Sequence, residues 1–185
     1  MATREQIVAA ADRLFYRQGY EHTSFADIAG SVGLSRGNFY YHFKSKDAIL
    51  DAVIDARLAD TRRMLERWEA DAPTPAGRIM RYVEIVLTNR ADIQDYGCPV
   101  GTLTTELAKL EHTMRGQASR LFTLFRTWLR EQFALLGPAE QADGLAMHVL
   151  AFSQGVAVMA NAFHDEAFIQ REVDRMRDWL HTYER

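Results

Sequence analysis

Between residues 37 and 46 the chain reads Gly-Asn-Phe-Tyr-Tyr-His-Phe-Lys-Ser-Lys, a run suited to recognition of a polyanion. Gly37 lets a backbone approach closely, and Asn38 can pair with a base edge or a phosphate. Tyr40, Tyr41 and His42 can donate to phosphate oxygens. Lys44 and Lys46 add positive charge, and they are two of the only three lysines in the protein. Lys46 also falls in the first turn of a helix capped by Ser45, where backbone N–H groups help to hold a phosphate. Phe39 and Phe43 stand four apart and anchor the other face of the same short helix. All five rings could simply pack together as a half-buried cluster. The outward pair Tyr40 and Tyr41, followed by His42 and the two lysines, favours nucleic acid.

No competing chemistry is as well assembled. There is no glycine-rich phosphate loop and no metal-spaced Cys/His cluster, so neither metal nor cofactor is expected. The single cysteine, Cys98, can form no intrachain disulfide. It precedes a predicted helix start, where the dipole favours a thiolate, but a small packing residue in a tight turn is the simpler account. His148 lies on an apolar helix and reads as a core histidine. His164-Asp165-Glu166 reads as a turn with Asp165 as a helix cap, since sequence neighbours do not face one site on a helix.

The elements that must position the 37–46 run are helical. Phe25, Ile28, Ala29 and Val32 form one apolar stripe. Thr23 or Ser24 caps its start, and Asp27 favours Ser24 because Ser-x-x-Asp makes a capping box. Gly33 supplies positive φ at the helix end and Ser35 caps a new helix, which Arg36 opens. Two helices joined so closely cross steeply. A first helix over 4–18, stopped by Gly19, supports them through Ile7, Ala10, Ala11, Leu14 and Phe15. Its Arg4 or Thr3 is placed to offer a phosphate contact.

From 45 a long helix runs to the Pro73/Pro75 break, rigid enough to act as a lever. Thr74 and Pro75 start another, predicted to reach about 90. An irregular stretch is expected over 92–101, then a short helix carrying Leu103, Leu107 and Leu110. A further long helix is predicted over 112–136. Residues 144–164 contain no Asp, Glu, Lys or Arg. His148, Ser153, Gln154 and Asn161 in that run argue for a soluble helix covered on nearly every side rather than a membrane span. A last helix is predicted from 165 or 166 to 183.

The residues Thr23, Ile28, Ala29, Gly33, Leu34, Ser35, Gly37, Phe39, Tyr40, Tyr41, His42, Phe43 and Lys46 match, in register and without a gap, the DNA-binding signature of the TetR family of bacterial transcription regulators, which the chain resembles. The match covers roughly the first third. Asn38 followed by Phe39 departs from the Thr or Ala followed by Leu that the family often has, which touches sequence preference. The stretch 97–107, GCPVGTLTTEL, resembles a segment of a subset of TetR-type sensing domains.

The resemblance implies an all-α fold of about nine helices, with a helix-turn-helix domain over 1–50 (motif about 24–43). A linker helix from 45 joins it to a ligand-sensing and dimerisation domain over 51–185. It implies double-stranded operator DNA, a small-molecule effector and a twin subunit, held through the last two helices, as partners. The expected DNA-binding set is Thr23, Ser24, Ser35, Arg36, Gly37, Asn38, Tyr40, Tyr41, His42, Lys44 and Lys46. The expected pocket set is Tyr82, Val86, Leu103, Phe122, Phe125, Met147, Phe152 and Met159, with Gln154 and Asn161 as hydrogen-bonding groups. So apolar a lining suits an apolar or aromatic molecule.

Length and charge agree with this reading. A chain of 185 residues allows one or two domains and a substantial core. The net charge of -3 is unusual for a DNA binder, yet the first 50 residues hold six basic and five acidic side chains, so the acidity lies beyond them. Modest positive charge implies weak non-specific binding and reliance on two half-sites. No secretory leader is recognisable at the amino terminus, and a cytoplasmic location is expected. The alternatives are a small helical enzyme or binding protein using Cys98 or His148, and an architectural DNA binder without a ligand.

Overall fold

The structure is a computed structural model that describes residues 3–137 and 139–183, with the side chains of Arg36 and Glu166 outside that description. Among the described residues every regular element is helical: α1 Thr3–Gln18, α2 Phe25–Ser31, α3 Arg36–His42, α4 Lys46–Asp71, α5 Pro75–Val83, α6 Ile85–Thr88, α7 Arg90–Tyr96, α8 Pro99–Lys109, α9 Arg115–Ala118, α10 Arg120–Ala134, α11 Ala142–Phe163 and α12 Glu166–His181, with a 3-10 turn Ala139–Gln141 before α11. Only Glu84 and Asn89 separate α5, α6 and α7, and only Ser119 separates α9 from α10, so these segments amount to nine helices.

Two predicted elements are corrected. The helix expected to end near 90 continues through α7 to Tyr96, which replaces most of the irregular stretch expected over 92–101. It is bent where side chains compete with the backbone ladder: the Thr88 hydroxyl donates to Glu84 O at 3.4 Å and the Asn89 amide to Ile85 O at 3.1 Å. The single helix predicted over 112–136 begins only at Arg115 and bends at Ser119, whose hydroxyl donates to Gly116 O at 2.9 Å.

The chain divides into two compact units, one of Met1–Asp60 with Pro99–Leu121 and one of Thr61–Cys98 with Phe122–Arg185. In the first, Ile7, Ala11 and Phe15 of α1 are buried, as are Ile49, Leu50, Val53 and Ile54 of α4 and Leu103 and Leu107 of α8. Arg57 ties three of its elements together. Its Nε donates to Asp12 of α1 at 2.6 Å and its Nη1 to the carbonyl of Pro99, the first residue of α8, at 2.7 Å.

In the second unit α5 to α7 and α10 to α12 enclose one apolar core, including Ile79, Val83, Leu129, Phe133, Val149, Ile169 and Val173. Thr74 caps α5 by accepting from Gly77 N at 3.1 Å, with Pro75 at the first helical position. Asp165 caps α12, accepting from Phe168 N at 3.1 Å, which settles the His-Asp-Glu run as a turn. By length and composition Ala139–Phe163, with mean hydropathy 1.4, is apolar enough to cross a membrane. One face of α11, including Ala146, Val149, Leu150, Val156 and Ala160, belongs to the core. The other is bare in a single chain, with Phe163 74 % exposed and Met147, Val158 and Met159 also exposed.

Candidate nucleic-acid interface

Helices α2 and α3 are defined at each end by local hydrogen bonds. Ser24 Oγ accepts from Asp27 N at 3.0 Å and Asp27 Oδ2 accepts from Ser24 N at 2.7 Å, the reciprocal capping box the sequence predicts. Those bonds to Ser24 hold the Asp27 carboxyl below the usual carboxylate range. At the other end Gly33 has φ +66°, its N–H donates to Gly30 O at 3.2 Å and that of Leu34 to Ala29 O at 3.2 Å, which closes the helix in a Schellman turn. Ser35 then caps α3, accepting from Asn38 N at 3.4 Å. The tight connection is therefore built from backbone bonds that need a residue without a Cβ at one position.

Within α3 the side chains separate by face. Phe39 and Phe43 are buried, and the Phe25 ring meets Phe39 edge-on at 4.6 Å. Gly37, Asn38, Tyr40, Tyr41 and Lys44 are exposed, Tyr41 to 78 % and Tyr40 to 49 %, and His42 is half-exposed. Tyr40 lies tilted over Phe25 at 4.9 Å, beside a cleft of about 210 Å³ lined by Phe25, Ala26, Ala29 and Phe39. Tyr41 and His42 are in edge contact at 5.2 Å. Lys44 Nζ donates to Tyr40 O at 2.6 Å and so caps the carbonyl end of α3 while keeping its charge outside. The guanidinium of Arg4, from the start of α1, stands 4.8 Å from the centre of the Phe43 ring. Ser24 and Ser35 are exposed at the two helix starts. Arg36 opens α3, but its side chain lies outside the described residues.

Two expected contacts are placed elsewhere. Thr23 is fully buried and its hydroxyl donates to Gly19 O at 2.7 Å, so it braces the turn after α1 and presents nothing to a ligand. Lys46 is half-buried. Its ammonium stands 4.1 Å over the Tyr20 ring and donates to Tyr20 O at 2.9 Å, so it is engaged within the protein. The periodicity of α4 could not reveal this, because the partner lies 26 residues upstream.

The pocket candidates are only partly brought together. Tyr82, Val86 and Phe125 are buried in the core of the second unit, with Tyr82 and Phe125 in edge contact at 5.1 Å, and Phe122 and Phe152 pack against that core. Ser153 donates its one hydroxyl proton to Leu150 O at 2.8 Å, so the Tyr82 phenol is the donor in the 3.0 Å bond between them. Burial pushes the Tyr82 phenol well above its ordinary value. Gln154 Nε2 donates to Cys98 Sγ at 3.4 Å and to Ser153 Oγ at 3.4 Å. Asn161 donates to the backbone oxygen of Gln94 at 2.7 Å. Met147 and Met159 are on the bare face of α11, and Leu103 is in the core of the first unit. Sequence patterning missed Gln94, whose Nε2 is buried with no hydrogen-bond partner among the described residues.

Comparison with known proteins agrees with this geometry. Residues 7–53 match the family "Bacterial regulatory proteins, tetR family", and residues 75–174 match "Transcriptional regulator LmrA/YxaF-like, C-terminal domain". A Lactococcus lactis subsp. lactis protein described as "Uncharacterized HTH-type transcriptional regulator in lacX 3'region" is 28 % identical over 95 % of this chain and 91 % of its own length. The HTH-type transcriptional repressor DhaR of Mycobacterium sp. (strain GP1) is 27 % identical over 69 % of this chain and 62 % of its own. Among solved structures, a TetR transcriptional regulator from Legionella pneumophila superposes with a TM-score of 0.85 at 23 % identity, covering 98 % of this chain and 97 % of that one. With an exposed reading helix on a capped helix-turn-helix and family matches over both parts of the sequence, the chain belongs to the TetR family of bacterial regulatory proteins and is a transcriptional regulator, not an enzyme.

Proposed function

We propose that the protein is a cytoplasmic, homodimeric repressor that binds a near-palindromic operator and is released from it by an apolar or aromatic small molecule. The observation that carries the reading is the division of α3, with Phe39 and Phe43 inside and Gly37, Asn38, Tyr40 and Tyr41 bare. Asn38 reads a base edge, and Ser24, Ser35, Arg36, Tyr40, Tyr41, His42 and Lys44 take phosphates or flanking base edges, with Gly37 allowing close approach. The apolar cleft beside Tyr40 suits a thymine methyl. Residues 1–50 act as the reader and 51–185 as the sensing and dimerising part. A twin placed through α11 and α12 spaces two α3 helices at successive major grooves, about 34–36 Å apart.

The effector reading rests on the second unit's core. Tyr82, Val86, Phe122, Phe125 and Phe152 offer apolar and aromatic surface, and Gln154 and Asn161 are hydrogen-bonding groups at its margin. An unsatisfied buried donor such as Gln94 Nε2 costs about 1–3 kcal/mol. An effector carrying an acceptor there would bind that much more tightly, and it can act only through its different affinity for the DNA-bound and free states. The repressor name of DhaR favours repression over activation.

The test is selection of duplexes from a random pool by the full-length protein, followed by gel shift at several salt concentrations. The reading expects a two-part, inversely repeated consensus bound by two chains. Enrichment of no sequence would overturn it.

A further inference from the structure

The turn between α1 and α2 is held by a residue far along the chain. Glu106, in the second half of α8, accepts from two consecutive backbone N–H groups: Tyr20 N to Oε2 at 2.9 Å and Glu21 N to Oε1 at 2.9 Å. Gly19, immediately before them, has φ +88°, and a Cβ built there would lie 2.8 Å from Glu106 Oε1. This glycine is thus required twice, by its backbone angle and by the approaching carboxylate.

Every polar atom of Tyr20 is committed. Its N–H goes to Glu106, its carbonyl accepts from Lys46 Nζ and from Thr23 N, and its hydroxyl donates to Asp47 in the first turn of α4. Its ring is flanked by Phe15 at 5.3 Å, by the Lys46 ammonium and by the edge of His112 at 5.0 Å. Burial and the bond to Asp47 raise the Tyr20 phenol above its ordinary value, so the hydroxyl remains a donor. His112 follows α8, and its Nδ1 accepts from Met114 N at 3.0 Å, which turns the Nε2–H toward Asp47, 3.5 Å away.

Tyr20 lies four residues before the Ser24 cap, so the direction in which the chain leaves this turn sets the direction in which α2, and α3 after it, are delivered. Both N–H groups of that turn find their acceptor on α8 and not on their own segment. From this juxtaposition we infer that Glu106 is a positioning residue for DNA binding: the α8 carboxylate holds the reader in its operator-competent orientation without touching DNA. The inference rests on the DNA-binding reading of α3.

The test uses the full-length protein and a duplex that the parent itself has selected. Glu106→Gln keeps the size of the side chain but has one acceptor oxygen where two N–H groups need partners. Its operator Kd is expected to rise about tenfold for each reading helix, on the order of one charge-assisted hydrogen bond, with an unchanged salt slope because no phosphate contact is removed. Exchange of the Tyr20 and Glu21 amides should accelerate about tenfold while that of α11 does not. Gly19→Ala displaces the same carboxylate and should weaken binding by at least as much. In the double variant the two losses should fall short of their product, because both act through one contact.

A Glu106→Gln protein that binds the duplex within about twofold of the parent at a temperature well below its melting point would overturn the proposal, and so would fully multiplicative losses in the double variant. Failure of the parent to select any duplex is a different result: it removes the DNA-binding reading itself.

Discussion

Tyr41 offers the cleanest separation of recognition from folding. Its side chain is 78 % exposed and its hydroxyl makes no hydrogen bond among the described residues, so the oxygen supports none of the described elements. Its ring contact with His42 does not need the hydroxyl. Tyr41→Phe should therefore leave thermal stability within about 0.5 kcal/mol of the parent, as expected for a surface change away from any structural feature. A hydrogen bond to a charged group contributes about 1.5–3 kcal/mol, and the lower figure applies because a phosphate oxygen that loses its partner regains water. On that basis the operator Kd rises about 13-fold for one reading helix and roughly 160-fold when both half-sites of a twofold complex lose the contact. Tyrosine is uncharged, so the slope of log K against log salt is unchanged. Lys44→Ala should instead flatten the slope by about 0.9 for each protomer. Gel shift or fluorescence anisotropy at four salt concentrations, with a melting curve on the same sample, measures all of this. A Tyr41→Phe protein that binds within threefold of the parent would show that the bare ring is not an operator contact, and a melting point that falls with the affinity would show that the hydroxyl had a structural partner.

Phe39→Ala empties a fully buried position in α3 and should destabilise the first unit by about 3–5 kcal/mol, read as a lower melting temperature and loss of operator binding together. Glu111 has φ +50°, which costs a residue other than glycine about 1–2 kcal/mol, while glycine loses about 0.4–1 kcal/mol more chain entropy on folding. Glu111→Gly should accordingly stabilise the protein by about 0.5 kcal/mol in a urea titration. The Tyr20 and Tyr82 phenols are raised in the folded state, chiefly by burial. Their contribution is complete below the unfolded value near pH 10 and is lost as pH rises through the folded values, so an alkaline absorbance titration of the seven tyrosines should show these two ionising only as the protein unfolds.

How far the sequence foretold the structure follows from the reach of each interaction. The capping box at Ser24 and Asp27, the positive φ of Gly33 and the inward pair Phe39 and Phe43 all involve partners within five residues, and each is read correctly from spacing. The caps at Thr74 and Asp165 are of the same kind. The bends at Glu84, Asn89 and Ser119 are also local, but the competition between a side-chain hydroxyl or amide and the helix ladder is weak, and surrounding packing decides it. Thr23, Lys46 and Glu106 were out of reach for another reason. Thr23 looked like a cap and Lys46 like a phosphate ligand because the turn that claims both is shaped by a carboxylate 86 residues from Tyr20. From 144 to 164 no charged residue marks a solvent face, so no pattern distinguishes the face of α11 that meets the core from the face that does not, and Met147 and Met159 read as pocket residues although both are exposed.

The bare face of that helix also bears on the proposed dimer. A soluble monomer rarely leaves a large apolar patch in water, yet α11 exposes Met147, Val158, Met159 and Phe163, with Gly144, Ala151, Gly155 and Ala162 and the polar His148 exposed among them. Full burial of a Val, Phe or Met side chain stabilises by about 1.5–3 kcal/mol, so these four gain several kilocalories per subunit only when something covers them. Arg171, Arg175 and Asp178 are exposed on α12, the helix that follows α11 in the chain. In the proposed dimer, a twofold axis would set this face against the same face of a second copy. The same symmetry operation duplicates α3. One apolar face can thus supply both the stability of the assembly and the fixed repeat that the operator reading requires.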